Sequence, residues 1–422
     1  MSSLIPLFFI LNLFLSSSTP EALGTPDKNV KDVTSKIEVL GSPFSKPVYA
    51  RNVWDMQVFD GKIYLGHGNS SNEGPSPNAG PTPIYYYDPV GNKFASQNVI
   101  SSASSEQASS TKEYVDEEQI DIFKVLNGKL YIPGNDARDE GWEFGNYYKL
   151  EGNEWIKYRN VPNGIHVYDM AYYEGKLFVA IGTDSTPDVL MSEDDGLTWT
   201  KIGSIGGKNP PRAYTLFEFK KKLFAVSTIA AKNNKWPDEA KILSIKGEPA
   251  GAATKFETSQ ITVYGDTMLP GITKNVIKYE PSPYMKMVRT TQVNDKLLYI
   301  AGGIFNDHQW IPQCLIVAND INDVQRVNFP RPDALPMDIL VRDNTVYVLA
   351  YTQTSPGQYT NTVYKTSTTD LMTWTELFEF NQDAFARSFE ELNGDFYFGL
   401  GSNIDYAPET TGTIIKVNKS DY

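Results

Sequence analysis

One pattern of hydrophobic and polar residues recurs along the chain: an apolar segment, a short polar turn and a second apolar segment. It is clearest in DMQVFDGKIYLG, residues 55–66, and in DMAYYEGKLFVAIG, residues 169–182. Weaker copies occupy residues 122–134, 216–227, 291–303, 339–350 and 389–401. Apolar segments separated by Asp-Gly, Glu-Gly or Asn-Gly are typical of β-strands joined by two-residue hairpin turns. The pattern therefore predicts seven β-hairpins.

The hairpins recur at a nearly regular interval. Their aligned turn positions are Gly61, Gly128, Gly175, Lys221, Asp295, Asn344 and Gly394. Four of the six intervals span 46–50 residues, which is typical of a four-stranded propeller blade, and the other two span 67 and 74 residues. A third apolar segment follows each hairpin, beginning at Ile84, Asn146, Asp188, Lys241, Cys314, Asn361 and Thr413. We predict an all-β fold, a seven-bladed β-propeller of four-stranded antiparallel blades; six or eight blades, or a chance likeness among aromatic-rich strands, are the alternatives.

The last blade lacks an outer strand, because its third segment ends almost at the C-terminus. The segment KIEVL, residues 36–40, can supply that strand, which would close the ring and remove an exposed sheet edge. The two long intervals predict insertions at about residues 68–83, 100–115 and 257–285. We therefore expect residues 25–422 to form a single propeller domain.

The N-terminus predicts a signal peptide over residues 1–24. An apolar run from Leu4 to Leu15 is too short to span a bilayer, and the small-x-small sequence Ala22-Leu23-Gly24 follows it. No Lys or Arg precedes the run, so a short membrane anchor or a misassigned start is the alternative. The prediction places the mature protein outside the cell or in a periplasm.

Composition narrows the range of partners. The chain has 51 acidic and 38 basic residues, a net charge of −13, which argues against nucleic acid and anionic membranes as partners. Cys314 is the only cysteine, so export brings no internal disulfide, and we expect a buried, inert thiol. We expect a monomer.

Residues 192–199, SEDDGLTW, match the Asp-box pattern S-x-D-x-G-x-T-W, and a degenerate copy at residues 367–374 lacks the glycine. On these motifs the chain resembles the sialidase-like propellers built from bacterial neuraminidase repeats, a superfamily of secreted proteins that includes many glycan-active members. The resemblance implies that the box joins two outer strands, away from the ligand. We expect Asp194 to accept backbone N–H groups within the turn, Gly196 to adopt a positive φ and Trp199 to pack beneath the hairpin.

Sialidase activity does not follow from this resemblance. Sialidases combine an arginine triad, a Tyr–Glu pair and an acid Asp, usually on six blades. This chain has no early Arg-Ile-Pro element, and its blade count differs.

A functional site is expected at one mouth of the central channel, built from the starts of the innermost strands and the loops after the second strands. In blade order the strand starts are Asn52, Gln119, His166, Arg212, Lys286, Leu335 and Phe385. Two residues further on lie Trp54, Asp121, Tyr168, Tyr214, Val288, Met337 and Arg387. The loops add His67, Asn135, Asp136, Arg138, His308 and Trp310. All three histidines map to this mouth, and blades 1 to 5 offer polar groups there.

The hypothesis we favour is a secreted enzyme that degrades an anionic, uronate-containing polysaccharide by lyase-type chemistry, similar in architecture to the seven-bladed polysaccharide lyases. An arginine would pair with the uronate carboxylate, while a His or Tyr removes the neighbouring proton and another protonates the leaving oxygen. The candidate catalytic residues are His166, Tyr214, Arg212 and His67. The candidate substrate-binding residues are Asn52, Trp54, Gln119, Asn135, Arg138, Tyr168, Lys286, His308, Trp310 and Arg387.

Two other functions fit the same mouth. An Asp-box glycoside hydrolase would use carboxylates, for which Asp136, Asp139 and Glu140 are candidates. A non-catalytic propeller would bind a glycan or a protein, stacking it on aromatic residues. The stacking candidates are Trp54, Trp142 and Trp310. The alternative role for His166 is to hydrogen-bond a neighbouring blade, and Asp55 and Asp169, which recur in the repeat, are expected to be structural.

No cofactor is predicted. The three histidines lack the close spacing of a zinc motif, and residues 135–140 are rich in oxygen ligands but lack the full calcium-loop signature. Zinc or calcium is possible but is indicated by no motif.

Overall fold

The computed structural model describes residues 30–70, 80–101, 110–137, 140–164, 166–183, 185–206, 212–230, 239–250, 253–264, 284–306 and 309–422. The predicted signal peptide lies outside these ranges, as do Arg138, Asp139 and His308. Within them, the helical segments are the short 3₁₀ helices Thr34–Lys36, Val48–Arg51 and Lys419–Asp421. None of the helices in these ranges is long and apolar enough to cross a membrane.

The chain forms a seven-bladed β-propeller, which confirms the predicted fold. Strand β1 is Glu38–Gly41. Blade 1 contains β2 (Asp55–Phe59), β3 (Lys62–Gly66), β4 (Ile84–Asp88) and β5 (Lys93–Gln97). Blade 2 contains β6 (Val99–Ser101), β7 (Ser110–Lys112), β8 (Lys124–Leu126), β9 (Lys129–Pro133), β10 (Phe144–Glu151) and β11 (Glu154–Pro162). Blade 3 contains β12 (His166–Tyr173), β13 (Lys176–Gly182), β14 (Asp188–Ser192) and β15 (Thr200–Ser204).

The remaining blades follow the same order. Blade 4 contains β16 (Ala213–Phe219), β17 (Lys222–Ser227), β19 (Glu239–Ala250) and β20 (Ala253–Tyr264). Blade 5 contains β18 (Ile229–Ala230), β21 (Tyr284–Val293), β22 (Lys296–Asn306), β23 (Gln309–Asp320) and β24 (Asp323–Arg326). Blade 6 contains β25 (Leu335–Arg342), β26 (Thr345–Ser355), β27 (Gln358–Ser367) and β28 (Thr375–Gln382). Blade 7 contains β29 (Phe385–Leu392), β30 (Asp395–Gly401) and β31 (Ile414–Val417).

Strand β1 completes blade 7 and closes the ring, as predicted. It pairs antiparallel with β31, with Val39 opposite Ile415, although the strand begins at Glu38 rather than at residue 36. The segment before it also joins blade 6, because the buried Val33 donates its N–H to the carbonyl of Glu379 at 2.9 Å. The N-terminal segment therefore fastens two blades.

The insertions differ from the prediction. Within the first long interval, β6 and β7 pair with each other, and β6 extends the outer edge of blade 2. In the second, residues 257–264 belong to β20 and form the outer strand of blade 4, so the predicted insertion begins too early. The apolar pattern missed β20 because half of its described side chains are exposed.

The hydrophobic core lies between neighbouring blades. One cluster joins Phe217 and Phe224 of blade 4 to Tyr299 and Cys314 of blade 5. Cys314 is buried, and burial raises the pKa of its thiol to about 11. The thiol is therefore protonated at neutral pH, in line with the predicted inert cysteine.

Aspartates at one repeat position fasten consecutive blades to each other. Asp55 of blade 1 accepts the N–H of Phe123 in blade 2 at 2.7 Å, and Asp169 of blade 3 accepts that of Leu216 in blade 4 at 2.8 Å. Asp338 of blade 6 makes the same contact with blade 7 at 3.1 Å. These contacts confirm the structural role predicted for Asp55 and Asp169.

The turn between β14 and β15 is organised by Asp194. Its carboxylate accepts the N–H of Thr198 at 2.8 Å and the hydroxyls of Thr198 and Ser192 at 2.6 and 2.8 Å. These bonds lower the pKa of Asp194 to about 2. Gly196 has a φ of +95°, and the half-buried Trp199 packs edge-on against blade 2. Asp194 therefore serves the turn, as expected.

Candidate functional site

β-Bulges mark the beginning of the innermost strands at the channel mouth. In β12, β16, β25 and β29 the register skips one residue, and the skipped residues are Tyr168, Tyr214, Met337 and Arg387. A bulge leaves one residue without a partner across the ladder and redirects its side chain. The same repeat position thus supplies side chains that contact neighbouring blades at the mouth.

His166, at the start of β12, is half-buried and held in one tautomer. Its Nδ1 lies 2.6 Å from the carbonyl oxygen of Asn135. A carbonyl oxygen only accepts hydrogen bonds, so Nδ1 carries the hydrogen and Nε2 carries the lone pair. Burial lowers the pKa of His166 to about 4, and the nearby charge of Arg212 acts in the same direction. At neutral pH the side chain is therefore a neutral imidazole whose basic nitrogen is Nε2.

An aromatic row continues from His166 across blades 3, 4 and 5. The rings of His166 and Tyr168 lie 5.3 Å apart, and Tyr168 stacks on Tyr214 at 4.2 Å. The ammonium group of Lys286 lies 4.7 Å from the centre of the Tyr214 ring, which is cation–π geometry. Strands from three blades therefore bring an imidazole, two phenols and an ammonium group together.

Blade 2 adds two carboxylates to the mouth. Asp136 places Oδ1 3.6 Å from Nδ1 of His166, and burial raises its pKa to about 6. Asp121 accepts hydrogen bonds from the side-chain amides of Gln119 and Asn135. Burial also raises the pKa of Asp121.

On the opposite side of the channel, Arg387 is 4% exposed and lies between two aromatic rings. Its guanidinium group is 4.2 Å from the centre of the Trp54 ring and 5.0 Å from that of Phe385. Nε donates to Oδ1 of Asn52 at 2.9 Å, and Nη2 donates to the carbonyl of Ser402 at 3.1 Å. Burial lowers its pKa to about 10. Nη1 has no hydrogen-bond partner among the described residues.

Lys286 and Arg387 are unusual among the cations of this acidic chain. Elsewhere the buried cations Lys149 and Lys157 and the half-buried Arg289 are paired with carboxylates. Within the described residues, neither Lys286 nor Arg387 forms an ion pair. Burial lowers the pKa of both groups. A buried cation without a carboxylate is costly for folding, so this pair favours an anionic ligand at the mouth.

Arg289 crosses the channel just below this pair. It has a left-handed backbone with φ of +54°, which is uncommon for a residue with a side chain. From blade 5, its guanidinium group pairs with Asp55 of blade 1 and with Asp338 of blade 6, where Nε lies 3.1 Å from Oδ1. It also donates to the carbonyl of Trp54 at 2.7 Å.

His67 does not have the catalytic position predicted for it. It is fully buried, its ring lies 4.3 Å from that of Phe44 and 5.5 Å from that of Tyr85, and Nε2 contacts the carbonyl of Pro83 at 2.9 Å. A substrate on the channel axis cannot reach a ring enclosed within blade 1. His67 is therefore a core residue.

Three predicted substrate-binding residues are also used internally. Asn52 is fully buried and orients Arg387, and Gln119 is 6% exposed and donates to Asp121. Trp310 is half-buried and packs against the core of blades 5, 6 and 7. The structure brings together His166, Tyr168, Tyr214, Lys286 and Asn135, with the exposed Arg212 beside them. It pairs Arg387 with Trp54 on the opposite side of the channel.

Sequence reasoning mapped Asp121 to the mouth without naming it a candidate site residue, and it missed Arg289. Both residues lie in the aligned repeat. Arg289 stands at a repeat position that carries Asp, Ser or Thr in five other blades. That departure from the repeat was the available signal. In the described part of the chain, no cluster of three or more His, Cys, Asp or Glu side chains has the arrangement of a metal site.

Comparison with known proteins adds no assignment of function. The sequence matches no protein family and no curated protein. Similar solved structures include YCF48 bound to D1 peptide, with 11% identity, a TM-score of 0.44 and coverage of 95% of this chain and 99% of that one. Trypanosoma rangeli sialidase in complex with the inhibitor DANA has 15% identity and a TM-score of 0.33, over 59% of this chain and 46% of the sialidase. A prolyl endopeptidase has 10% identity and a TM-score of 0.40, over 82% and 46%.

The chain thus spans about half the length of the sialidase and of the endopeptidase. At these identities and TM-scores, none of the three similarities assigns an activity, a ligand or a partner.

Proposed function

We propose that this protein is a secreted enzyme that cleaves an acidic, uronate-containing polysaccharide by β-elimination at the channel mouth. The observation that carries the proposal is the state of His166. Its Nδ1–H is engaged by a backbone carbonyl, which leaves Nε2 as an unprotonated base beside two phenols and an ammonium group. A neutral base, a hydroxyl donor and a cation are the groups that elimination beside a carboxylate requires.

In the proposed reaction, Nε2 of His166 removes the proton from C5 of the uronate. The electron pair forms a C4=C5 double bond, and the C4–O4 bond breaks. The leaving oxygen takes a proton from the hydroxyl of Tyr214, which is then reprotonated from solvent. Asp136, 3.6 Å from Nδ1, stabilises the imidazolium that forms. Arg212, Lys286 and Arg387 neutralise uronate carboxylates, which makes the neighbouring C–H more acidic.

A second candidate function is glycoside hydrolysis. It is favoured by one observation, the raised pKa of Asp136, since a carboxyl group that stays protonated to about pH 6 can act as a general acid. Asp121 would be the second carboxylate. Of the other predicted acids, Glu140 accepts hydrogen bonds from Asn146 and Lys157 and is committed to blade 2.

The test is to incubate the purified protein with a panel of polyuronates and to follow two signals. Elimination produces the ultraviolet absorbance of a conjugated double bond together with new reducing ends, whereas hydrolysis produces reducing ends alone. We expect both signals, and we expect His166→Ala to reduce the rate by about 10²–10⁴-fold. Arg326→Ala, an exposed change on the outer strand β24, is the matched control and should retain the rate.

Three outcomes separate the candidates. Reducing ends without absorbance would replace elimination by hydrolysis. Binding without either signal would make the protein a non-catalytic propeller. Equal activity in the His166 variant, with an unchanged melting temperature, would contradict the role of His166 as the base.

A further inference from the structure

The geometry points to an anion receptor in a closed-ended channel: we infer that Arg387, together with Lys286 of blade 5, binds the carboxylate of a terminal uronate, so that the protein engages its polymer at a chain end. This inference rests on the proposed function for the identity of the sugar. The receptor itself rests on the contacts of Arg387 and on the residue that closes the channel below it.

Arg387 is built as a receptor rather than as a structural ion pair. Asn52 and Ser402 fix Nε and Nη2, and the rings of Trp54 and Phe385 cover the guanidinium plane. Nη1 is the part of the fork without a partner among the described residues, and a carboxylate fits that position through a charge-assisted hydrogen bond. Its surroundings are already in place, so binding needs little reorganisation.

Lys286 supplies a second charge on the far side of the mouth. Its ammonium group lies over the Tyr214 ring. The carboxylate that acts on the pKa of Lys286 is Asp121, which also accepts hydrogen bonds from the amides of Gln119 and Asn135. Blade 5 and blade 7 are not neighbours in the ring. Lys286 and Arg387 therefore belong to different sides of the ring, and the charge of Asp121 acts on both of them.

The channel is obstructed beneath these cations. Arg289 follows Lys286 by three residues in β21 and pairs with Asp55 on blade 1 and Asp338 on blade 6. Blades 5 and 1 lie on different sides of the ring, so this contact crosses the channel. A polysaccharide therefore cannot thread through the channel, and a chain that enters the mouth end-on stops with its terminal carboxylate at Arg387.

The binding experiment uses the full chain with His166→Ala, so that the ligand is not cleaved. The probes are trigalacturonate and its methyl ester, which has lost the negative charges. We expect trigalacturonate to bind, and we expect Arg387→Met to weaken its Kd by roughly ten- to a hundredfold, as loss of a charge-assisted contact predicts. The methyl ester should bind weakly, and with the same Kd, to the His166→Ala protein with and without Arg387→Met. Arg387→Lys keeps the charge but not the forked guanidinium group, so its Kd for trigalacturonate should lie between those of the parent and Arg387→Met.

Arg326→Met is the matched control and should bind like the parent, and melting temperatures show whether each variant is folded. Trigalacturonate that binds equally well to folded Arg387 variants, or no binding at all, would overturn the receptor. The mode of attack is read from polymer viscosity, which should fall slowly while short unsaturated products accumulate.

The two proposals fail in different ways. If trigalacturonate binds in a way that depends on Arg387 but no elimination occurs, the proposed enzyme activity is wrong and the anion receptor is supported. If elimination occurs with an early fall in viscosity and Arg387→Met leaves Kd unchanged, the enzyme activity is supported and the chain-end receptor is wrong.

Discussion

At the scale of single residues, burial sets the charge of the two described histidines. Burial lowers the pKa of His67 and of His166 to about 4, so both rings are neutral over most of the physiological range. Their surroundings then separate their roles. His67 is enclosed by Phe44 and Tyr85, whereas His166 lies at the channel mouth with a defined tautomer.

The titration of His67 predicts a dependence of stability on pH. Its folded-state pKa, about 4, lies below the unfolded value of 6.5, so the unfolded chain binds the proton more readily between these values. The stability linked to His67 is therefore complete above pH 6.5 and is lost as the pH falls towards 4. Between pH 6.5 and pH 4, the unfolding free energy of the parent protein should fall further than that of His67→Gln, by on the order of 3 kcal/mol.

Urea unfolding of both proteins at several pH values measures this difference. Carboxylates and His166 titrate in both chains, so the comparison isolates His67. Two curves that stay parallel from pH 7 to pH 4 would contradict the assigned pKa.

The enclosure of His67 was not predictable from its own segment. The sequence places it in the loop after β3, and the aligned repeat groups it with His166 and His308. Its burial depends on Phe44 and Tyr85, which lie in other segments, and a repeat alignment does not report such contacts. The position of His166 was predictable because it starts an innermost strand in the repeat.

At the scale of elements, the turn chemistry made the hairpins predictable. Asp60-Gly61 and Glu174-Gly175 adopt positive φ at both positions, the conformation that two-residue hairpins require. The bulges at Tyr168 and Arg387 had no such signature, because a bulge depends on pairing with the neighbouring strand. Strands β6 and β7 were missed because segments of three residues are too short to show hydrophobic periodicity.

The aspartate contacts between blades give a prediction at this scale. Asp169 is 5% exposed, accepts the N–H of Leu216 and lies 2.9 Å from the ammonium group of Lys124. Asp169→Ala removes the acceptor and leaves a buried N–H and a cation without their partner, which should lower the unfolding free energy by about 3 kcal/mol.

Asp333→Ala, at an exposed position, is the matched control and should change that free energy by less than about 0.5 kcal/mol. Chemical denaturation compares the two variants. Equal stability of both would show that the aspartate does not hold blades 3 and 4 together.

At the scale of the whole molecule, the ring gathers charges that are far apart in the sequence. The regular period predicted seven blades, and the segment KIEVL at residues 36–40 predicted the strand that closes the ring. The pairing of Arg289 with Asp55 could not be predicted, because it joins residues separated by 234 positions and becomes possible only when the ring is closed. The placement of Arg387 beside Trp54 has the same origin.

The ring also offers a second opening, on the side of the hairpin turns. A depression of about 530 Å³ lies there, lined by residues that include Gln57, Phe59, Arg342 and Leu392. Arg342 pairs with Glu390 and Glu391, so its charge is already compensated. Lys286 and Arg387, which form no ion pair among the described residues, lie at the other mouth. We therefore expect the ligand at the mouth that holds His166.

The most direct test of this central claim is a crystal structure of the His166→Ala variant with trigalacturonate. We expect the trisaccharide at the channel mouth, with a terminal carboxylate on Arg387 and a sugar ring beside residue 166 and Tyr214. Trigalacturonate bound in the depression on the turn side, or on the outer surface of the blades with the mouth empty, would contradict it.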